Sequence, residues 1–204
     1  MPFANAYDYI PKYNNSINYY GIGAYFAQNS VVIYQEPNEK SQVLVSFAWD
    51  NDKIVKTSDS EINIINSFIT FLPNEKVTIF AVDDETEGWV QIVYDQKRAL
   101  KGWVKISETA KFYYWRKILY KYAIKNGVYM WNDAPKESKA LRTTPDKEKK
   151  PDTTFFYPKH IAFEFIKGNW MLVKVLDYDN SVKVGWIQWR TEDGKFLLYP
   201  AFRE

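Results

Sequence analysis

Apolar and aromatic residues occur along most of the chain in short runs that alternate with polar, turn-rich stretches. Runs of about four to eight such residues between turns predict β-strands. In the first half they lie at residues 31–34, 43–49, 61–72, 77–82, 89–94 and 102–106. In the second half they lie at 155–157, 161–166, 170–175 and 184–189. Strands this short and this closely spaced predict an all-β fold built of small barrels or sandwiches.

Residues 111–124 have a different pattern. Their large apolar side chains recur at intervals of three, three, one and three positions: Phe112, Trp115, Ile118, Leu119 and Tyr122. This spacing places the side chains on one face of a helix. Aromatic rings are also compatible with a strand, and the spacing favours the helix. We therefore predict a short connecting segment that is helical at least in part.

The chain contains an internal repeat centred on a Gly-Trp pair. The pair at residues 102–103 returns at 185–186, followed each time by a hydrophobic residue. Each pair is preceded by a strand that begins with tryptophan, Trp89 or Trp170, and by a polar turn. The pattern predicts a β-hairpin in which the glycine marks a close backbone approach or a bulge. We expect all four tryptophans of these two hairpins to lie in the core.

The repeat extends upstream of the hairpins and divides the chain. Residues 31–44 align with residues 128–141 without a gap. Ordered similarities at nearly equal offsets indicate a duplication. They predict the following division: an N-terminal arm at residues 1–27, a first domain at 28–110, the connecting segment at 111–124 and a second domain at 125–204.

Composition and charge narrow the classes of function. The 204 residues carry 27 Lys and Arg against 25 Asp and Glu, so net charge offers no support for binding to nucleic acid or to an anionic membrane. Aromatic residues make up 18% of the chain, which suits both β-rich cores and ligand-binding faces. There is no cysteine, and no apolar run approaches the roughly 18 residues of a membrane span. The sequence therefore predicts no integral membrane segment.

The N-terminal residues have neither the basic region nor the apolar region of a secretory signal. Two locations remain open: the cytoplasm, or the periplasm and extracellular space after removal of a signal that this sequence lacks. The expectation that we carry forward is an exported protein.

Candidate catalytic groups are few. The single histidine, His160, has no partners at the spacing of a triad or a zinc site. Acids at residues 83–87 lack the spacing of a calcium loop, and Gly21 and Gly23 do not form a phosphate-binding loop. No pair of carboxylates stands out for glycoside hydrolysis. We predict a protein that is not an enzyme and has no catalytic residues, metal or cofactor.

Aromatic residues beside polar loops are the candidates for ligand binding, because a ring supplies a large contact area at low conformational cost. Tyr34 and Trp131 stand at equivalent strand ends of the two repeats. Trp49 belongs to the first domain, and Phe156 and Tyr157 belong to the second. These five residues form the predicted ligand-binding set.

The hairpins resemble the bacterial SH3-like (SH3b) domains, which end in Trp-x-x-Val, a turn and Gly-Trp-Val. The residues that carry the resemblance are Trp89, Val93, Gly102, Trp103 and Val104, with Trp170, Val173, Gly185, Trp186 and Ile187 in the second copy. The first strand and turn at 32–37 and 129–135 lack the family's common Asn-Val-Arg-Ser-Gly-Pro pattern. The resemblance implies two SH3-like small barrels in a tandem, non-catalytic binding protein.

Two functional hypotheses follow from the resemblance. The first is recognition of a cell-wall peptide or glycan derived from peptidoglycan, by a secreted or periplasmic bacterial protein. The alternative is a protein partner, as for an inhibitor or immunity protein, with the polar loops at 50–60 and 142–154 as contact surface. The loop at 142–154 has the composition of a mobile, solvated segment.

Overall fold

The computed structural model of the protein describes residues 21–51, 53–58, 61–62, 67–131 and 134–202. Strands dominate and helical structure is confined to short segments, which confirms the all-β prediction. The chain divides into two compact units, Gly21–Tyr113 and a second that starts at Tyr114. Most of the predicted N-terminal arm lies outside the described residues. From Gly23 onward the chain already forms a strand of the first unit.

The described residues of the first unit form nine strands: β1 (Gly23–Gln28), β2 (Ser30–Tyr34), β3 (Val43–Asp50), β4 (Lys53–Lys56), β5 (Thr70–Leu72), β6 (Val77–Thr86), β7 (Trp89–Asp95), β8 (Leu100–Lys105) and β9 (Ala110–Tyr114). They form one sheet in the order β4-β3-β2-β8-β7-β6-β1-β9, and β5 pairs with β6. The order does not close on itself, so a barrel is not confirmed. Of the strand predicted at 61–72, residues 63–66 lie outside the described residues, and strand structure in the described part is confined to Thr70–Leu72.

One face of this sheet encloses the core of the first unit. Buried side chains alternate along the strands, as the period of two requires. The largest members are Tyr25, Ile33, Phe47, Phe80, Ile92 and Tyr94. The Tyr25 hydroxyl donates a hydrogen bond to the Lys105 carbonyl at 2.8 Å, which satisfies the polar end of a buried ring.

In the second unit, the part of the chain that the structure describes forms seven strands: β10 (Val128–Met130), β11 (Ala140–Leu141), β12 (Thr153–Thr154), β13 (Pro158–Lys167), β14 (Trp170–Asp177), β15 (Val182–Gln188) and β16 (Leu198–Pro200). The central sheet has the order β13-β14-β15, and the other strands form the pairs β10-β16 and β11-β12. A short 3-10 helix spans Lys136–Lys139. Residues 155–157, predicted as a strand, form a bend instead.

The helical segment starts later than the sequence predicts. Residues 111–114 belong to β9, and helical structure runs through α1 (Trp115–Ile118), a π-helical stretch (Leu119–Ala123) and α2 (Ile124–Asn126). It belongs to the second unit. The helix ends at Gly127, whose φ of 79° suits glycine. A Cβ at this position would lie 2.6 Å from the carbonyl oxygen of Ile161, so the backbone approach also requires glycine.

An aromatic cluster fills the core of the second unit. Phe196 is fully buried and contacts the rings of Trp115, Trp189 and Tyr199 at centroid distances of 4.8, 5.1 and 5.6 Å. The indole Nε1 of Trp189 donates to the Gly168 carbonyl at 2.9 Å. Trp115 belongs to the helical segment at the start of this unit, and Tyr199 belongs to β16 near the end of the chain. The cluster therefore joins parts of the unit that are distant in sequence.

The repeat is visible as two three-stranded meanders, β6-β7-β8 and β13-β14-β15, with the same register. Gly102 pairs with Ile92, and Gly185 pairs with Val173, three residues after the leading tryptophan in both cases. A bulge also occurs at the same place in β6 and β13, six residues before that tryptophan, and each bulge carries an acid, Asp83 or Glu164.

The repeated glycines make equivalent contacts. A Cβ on Gly102 would lie 3.0 Å from Leu44, and one on Gly185 would lie 2.8 Å from Leu141. These two leucines are also equivalent in the sequence repeat. The glycine therefore serves close packing in both copies, as predicted.

The expectation that the hairpin tryptophans lie in the core is wrong. Trp89, Trp103, Trp170 and Trp186 are all half-buried. In β7 the buried residues Val90 and Ile92 point to the core, so Trp89 and Gln91 point to the opposite face. The β-branched residues take the core positions, and the tryptophans lie on the outer face of each meander.

Candidate functional site

Three aromatic side chains are the most exposed rings among the described residues of the second unit, and they lie at one end of its central sheet. Phe156 is 65% exposed, Tyr157 is 76% exposed and Tyr178 is 73% exposed. The residue pair Pro158 and Asp177 aligns the start of β13 with the end of β14, which places Tyr157 opposite Tyr178. We call these three residues the aromatic end.

A single buried carboxylate organises the aromatic end. Asp177 accepts hydrogen bonds from the backbone N–H groups of Tyr157 and Tyr178, both at 3.0 Å to Oδ1. Its Oδ2 accepts from the N–H of Phe156 at 3.3 Å. The ring-bearing residues therefore share one acceptor, and their backbone is held although their side chains face solvent.

Lys183 supplies the charge that compensates Asp177. Its Nζ donates to Asp177 Oδ2 at 3.1 Å and to the Thr154 carbonyl at 2.9 Å. Burial alone would raise the pKa of the Asp177 carboxyl, but the Lys183 ammonium and the three backbone donors outweigh burial and lower this pKa to about 2. The carboxylate is therefore ionised throughout the neutral range.

Two further lysines flank the rings. Lys139 donates from Nζ to the Phe156 carbonyl at 3.1 Å and lies 5.9 Å from the centroid of the Tyr157 ring. Lys159 donates to Asn180 Oδ1 at 2.7 Å and lies 5.3 Å from the centroid of the Tyr178 ring. Each tyrosine ring of the aromatic end thus has an ammonium group within cation–π range.

Phe156 and Tyr157 were predicted as binding residues, and the structure brings them together. Their exposure follows from Phe155, which is fully buried and directs the next two residues outward. The N–H of Phe155 also donates to the carbonyl of Lys139 at 3.2 Å, which ties this bend to the 3-10 helix.

The predicted candidates of the first unit lie elsewhere. Tyr34 is half-buried on the outer face, where it pairs with Trp103 and meets the Trp89 ring edge-on at 5.6 Å. Trp49 is half-buried against Phe71, with ring centroids 6.0 Å apart. These residues form ring contacts within their own unit.

Trp131, the equivalent of Tyr34 in the repeat, is only 7% exposed. Its ring packs against that of Tyr199, with centroids 5.2 Å apart, and its backbone N–H donates to the Leu197 carbonyl at 2.9 Å. The side chain is part of the aromatic core of the second unit. It has little surface left for a ligand.

Sequence reasoning missed Tyr178, Asp177 and the flanking lysines. From sequence, the turn at 177–180 is only a polar connection between two strands. One signal was available, since both meanders place an aspartate at the start of this turn, Asp95 and Asp177. Two of its donors, Phe156 and Tyr157, lie 21 and 20 positions away in sequence, and no local pattern indicates that contact.

The outer face of β13-β14-β15 is a second exposed surface. Phe165, Val182 and Val184 are 47%, 53% and 61% exposed. The half-buried tryptophans Trp170 and Trp186 share this face, and the Arg142 guanidinium lies 5.4 Å from the Trp170 ring centroid. This face therefore exposes three large apolar side chains beside two half-buried tryptophans.

His160 lies on β13 and is exposed, with its imidazole beside Gly127. Within the described ranges, no group of three or more His, Cys, Asp or Glu side chains is arranged to hold a metal ion. None of the helices formed by these residues is long and apolar enough to cross a membrane.

Comparison with known proteins gives no assignment: no family model matches the chain, and neither a curated protein nor a solved structure is similar to it.

Proposed function

We propose that this protein is a non-catalytic binding protein and that its main ligand contact is the aromatic end of the second unit. The observation that carries the proposal is the set of hydrogen bonds from Phe156, Tyr157 and Tyr178 to one buried carboxylate. Exposed rings on a backbone that is already ordered lose little conformational entropy when they bind. This arrangement favours recognition of a ligand by contact.

The chemistry of the site also favours binding over catalysis. Asp177 accepts hydrogen bonds from all three ring-bearing residues. With a pKa lowered to about 2 and its oxygens engaged by four donors, it is a poor proton acceptor. Its role is to position the rings.

The proposed ligand is a cell-wall peptide or glycan. This part of the proposal rests on the SH3b resemblance of the two hairpins and on the suitability of exposed rings for stacking on peptide bonds and sugars. It includes an origin of the two units from duplicated SH3-like modules and a location outside the cytoplasm, where peptidoglycan is found. The shared register and shared bulge of the two meanders support the duplication.

Co-sedimentation with purified peptidoglycan sacculi tests the proposal. We expect the protein to pellet with sacculi and the Tyr157→Ala/Tyr178→Ala variant to remain largely in the supernatant. Phe71→Ala is the matched control, since Phe71 is a 42% exposed ring of the first unit. Circular dichroism establishes that both variants are folded. If the intact protein stays in the supernatant, wall binding is rejected.

A protein partner is the second candidate function, and the exposed apolar face of β13-β14-β15 favours it. Aromatic residues and arginine are enriched at the centres of protein interfaces, and this face combines Trp170, Trp186 and Arg142. The sequence had placed the partner contact on the loops at 50–60 and 142–154 instead. Capture of one defined partner by the intact protein but not by a Val184→Lys variant would support this function.

A further inference from the structure

We infer that the aromatic end recognises a ligand that carries free carboxylate groups, and that Lys139 and Lys159 are the residues that bind them. The inference rests on the proposed function, because it names the chemical class of ligand for the same site. It narrows wall components to acidic peptides and excludes neutral glycan as the main determinant.

Lys139 is positioned and still has free donor capacity. It is half-buried, and its Nζ is oriented by one hydrogen bond to the Phe156 carbonyl at 3.1 Å and by the Tyr157 ring. An ammonium group has three N–H donors. One of them serves the carbonyl, so the others can bind an oxygen of a ligand placed against the Tyr157 ring.

Lys159 repeats this arrangement on the other side of the site. Its Nζ has one hydrogen bond, to Asn180 Oδ1 at 2.7 Å, and lies against the Tyr178 ring. The acceptor is a neutral amide, so the positive charge is not compensated there. Because the backbone N–H groups of Tyr157 and Tyr178 donate to the same oxygen of Asp177, the backbones of the two tyrosines lie close together.

The acids near the aromatic end are already engaged. Asp177 is compensated by Lys183 at 3.1 Å. Asp179 accepts from the N–H of Ser181 at 2.8 Å and also from its hydroxyl. In the described part of the chain, neither Lys139 nor Lys159 belongs to an ion pair. Because the hydrogen-bond partners of Asp179 are neutral, its charge remains, and the site presents two cations against this one carboxylate beside three exposed rings.

This combination fits a carboxylate next to an apolar or planar group. The ammonium groups can donate charge-assisted hydrogen bonds to carboxylate oxygens, which are stronger than bonds between neutral groups. The rings of Phe156, Tyr157 and Tyr178 offer contact area for the adjacent carbon skeleton. A short peptide with a free C-terminus or an acidic side chain supplies both features, whereas a neutral sugar supplies only the second.

The test uses two probes with the full chain. The first is a muropeptide mixture released from sacculi by muramidase, before and after amidation of its carboxyl groups. The second is poly-L-glutamate, which carries carboxylates without wall chemistry. Binding is measured by titration calorimetry for the wild type and for Lys139→Gln/Lys159→Gln. The control is Lys40→Gln/Lys97→Gln, which removes two exposed lysines from the first unit.

We expect amidation of the muropeptides and the Lys139→Gln/Lys159→Gln change each to weaken binding by about tenfold or more, the effect of losing one or two charge-assisted bonds. The control variant should bind as the wild type does. Equal binding of free and amidated muropeptides, with no loss in the lysine variant, would overturn the inference and leave wall recognition intact.

If no form of the muropeptides binds, the proposed wall ligand fails, and poly-L-glutamate decides the inference. Binding of poly-L-glutamate that is lost in Lys139→Gln/Lys159→Gln and kept in the control would uphold carboxylate recognition without the wall. Absence of binding, or equal binding by all three proteins, would overturn it.

Discussion

The middle strand of each meander ends in a buried aspartate, but the two aspartates hold different partners. Asp95 binds within its own turn, where it accepts from the N–H of Arg98 at 3.0 Å and from its Nε at 2.7 Å. Asp177 instead reaches the bend at 155–157 as well as its own turn. The aspartate that ends the middle strand therefore closes a turn in one unit and ties together two ring-bearing segments in the other.

The outer faces of the two meanders also differ: at equivalent positions the first has polar residues and the second has apolar ones. Because the registers match, Asp84 corresponds to Phe165, Gln91 to Leu172 and Lys101 to Val184.

Lys101 is paired with Asp83 at 2.6 Å on the first unit. Val184 is 61% exposed at the equivalent place on the second. The two meanders thus share their core pattern and differ on their outer faces, which are polar at these positions in the first unit and apolar in the second.

Removal of the Asp177 carboxylate is the change with the largest expected effect on the free energy of unfolding. Asp177→Ala leaves three backbone N–H groups and the Lys183 ammonium without their acceptor, so we expect a loss of roughly 3 kcal/mol in the free energy of unfolding of the second unit. Asp95→Ala should cost about 1–2 kcal/mol, since Arg98 can turn to solvent. Urea unfolding followed by tryptophan fluorescence measures both. Equal losses would contradict the comparison.

The repeated glycines should respond alike. We expect Gly102→Ala and Gly185→Ala each to destabilise their unit by about 1–3 kcal/mol, because the added methyl group overpacks a filled contact. At Gly102 it would lie 2.5 Å from Cγ2 of Ile33, and at Gly185 it would lie 2.8 Å from Cβ of Leu141. Thermal unfolding measures the effect. A glycine that tolerates alanine would show that its copy has lost the ancestral packing.

Acid should weaken the second unit through Asp177. The folded pKa of about 2 lies below the ordinary value of 3.8, so the stabilisation is fully present above about pH 4 and is lost as the pH falls through the folded pKa. The free energy of unfolding should therefore decrease between about pH 4 and pH 2.

Asp177→Asn is the variant that sharpens this acid prediction. It removes the titrating group, so its unfolding curves over the same pH range should show a smaller decrease than those of the wild type. If the two proteins depend on pH to the same degree, other groups cause the effect.

Placing a lysine at position 184, as at the equivalent Lys101 of the first unit, is the change with the smallest expected effect on stability. Val184→Lys should alter the free energy of unfolding by no more than about 0.5 kcal/mol, because the side chain is on the surface. Binding of a hydrophobic fluorescent dye to the folded protein should fall, and Val43→Lys, which replaces a 47% exposed valine of the first unit, serves as control. A large loss of stability would mean that Val184 is packed against a partner within the fold.

Part of the candidate site could be predicted from sequence. Phe156 and Tyr157 stand out as adjacent rings beside a polar loop, and both are exposed. Trp131 looked equally suitable, yet it is buried against Tyr199, some seventy positions away in the chain. Exposure of an aromatic side chain depends on which distant segments pack against it, so equivalent positions in a repeat can have opposite environments.

The outward orientation of the hairpin tryptophans is indicated by the alternation of polar and apolar residues in their strands. Trp89 and Gln91 share one side of their strand, and Trp170 and Lys174 share one side of theirs. Polar residues on the same side mark the face away from the core. This alternation predicts the outer face correctly, whereas the size of the rings favours the core.

The sequence by itself determined the all-β class, the two hairpins that repeat one motif and the place of the close glycine contacts, because these depend on local alternation and on a motif that occurs twice. Only the tertiary structure decided that the sheets stay open, that Trp131 is buried and that Asp177 joins the bend at 155–157 to its own turn. A buried carboxylate takes the donors that the fold brings within about 3 Å. Which donors those are depends on chain segments that no local pattern relates.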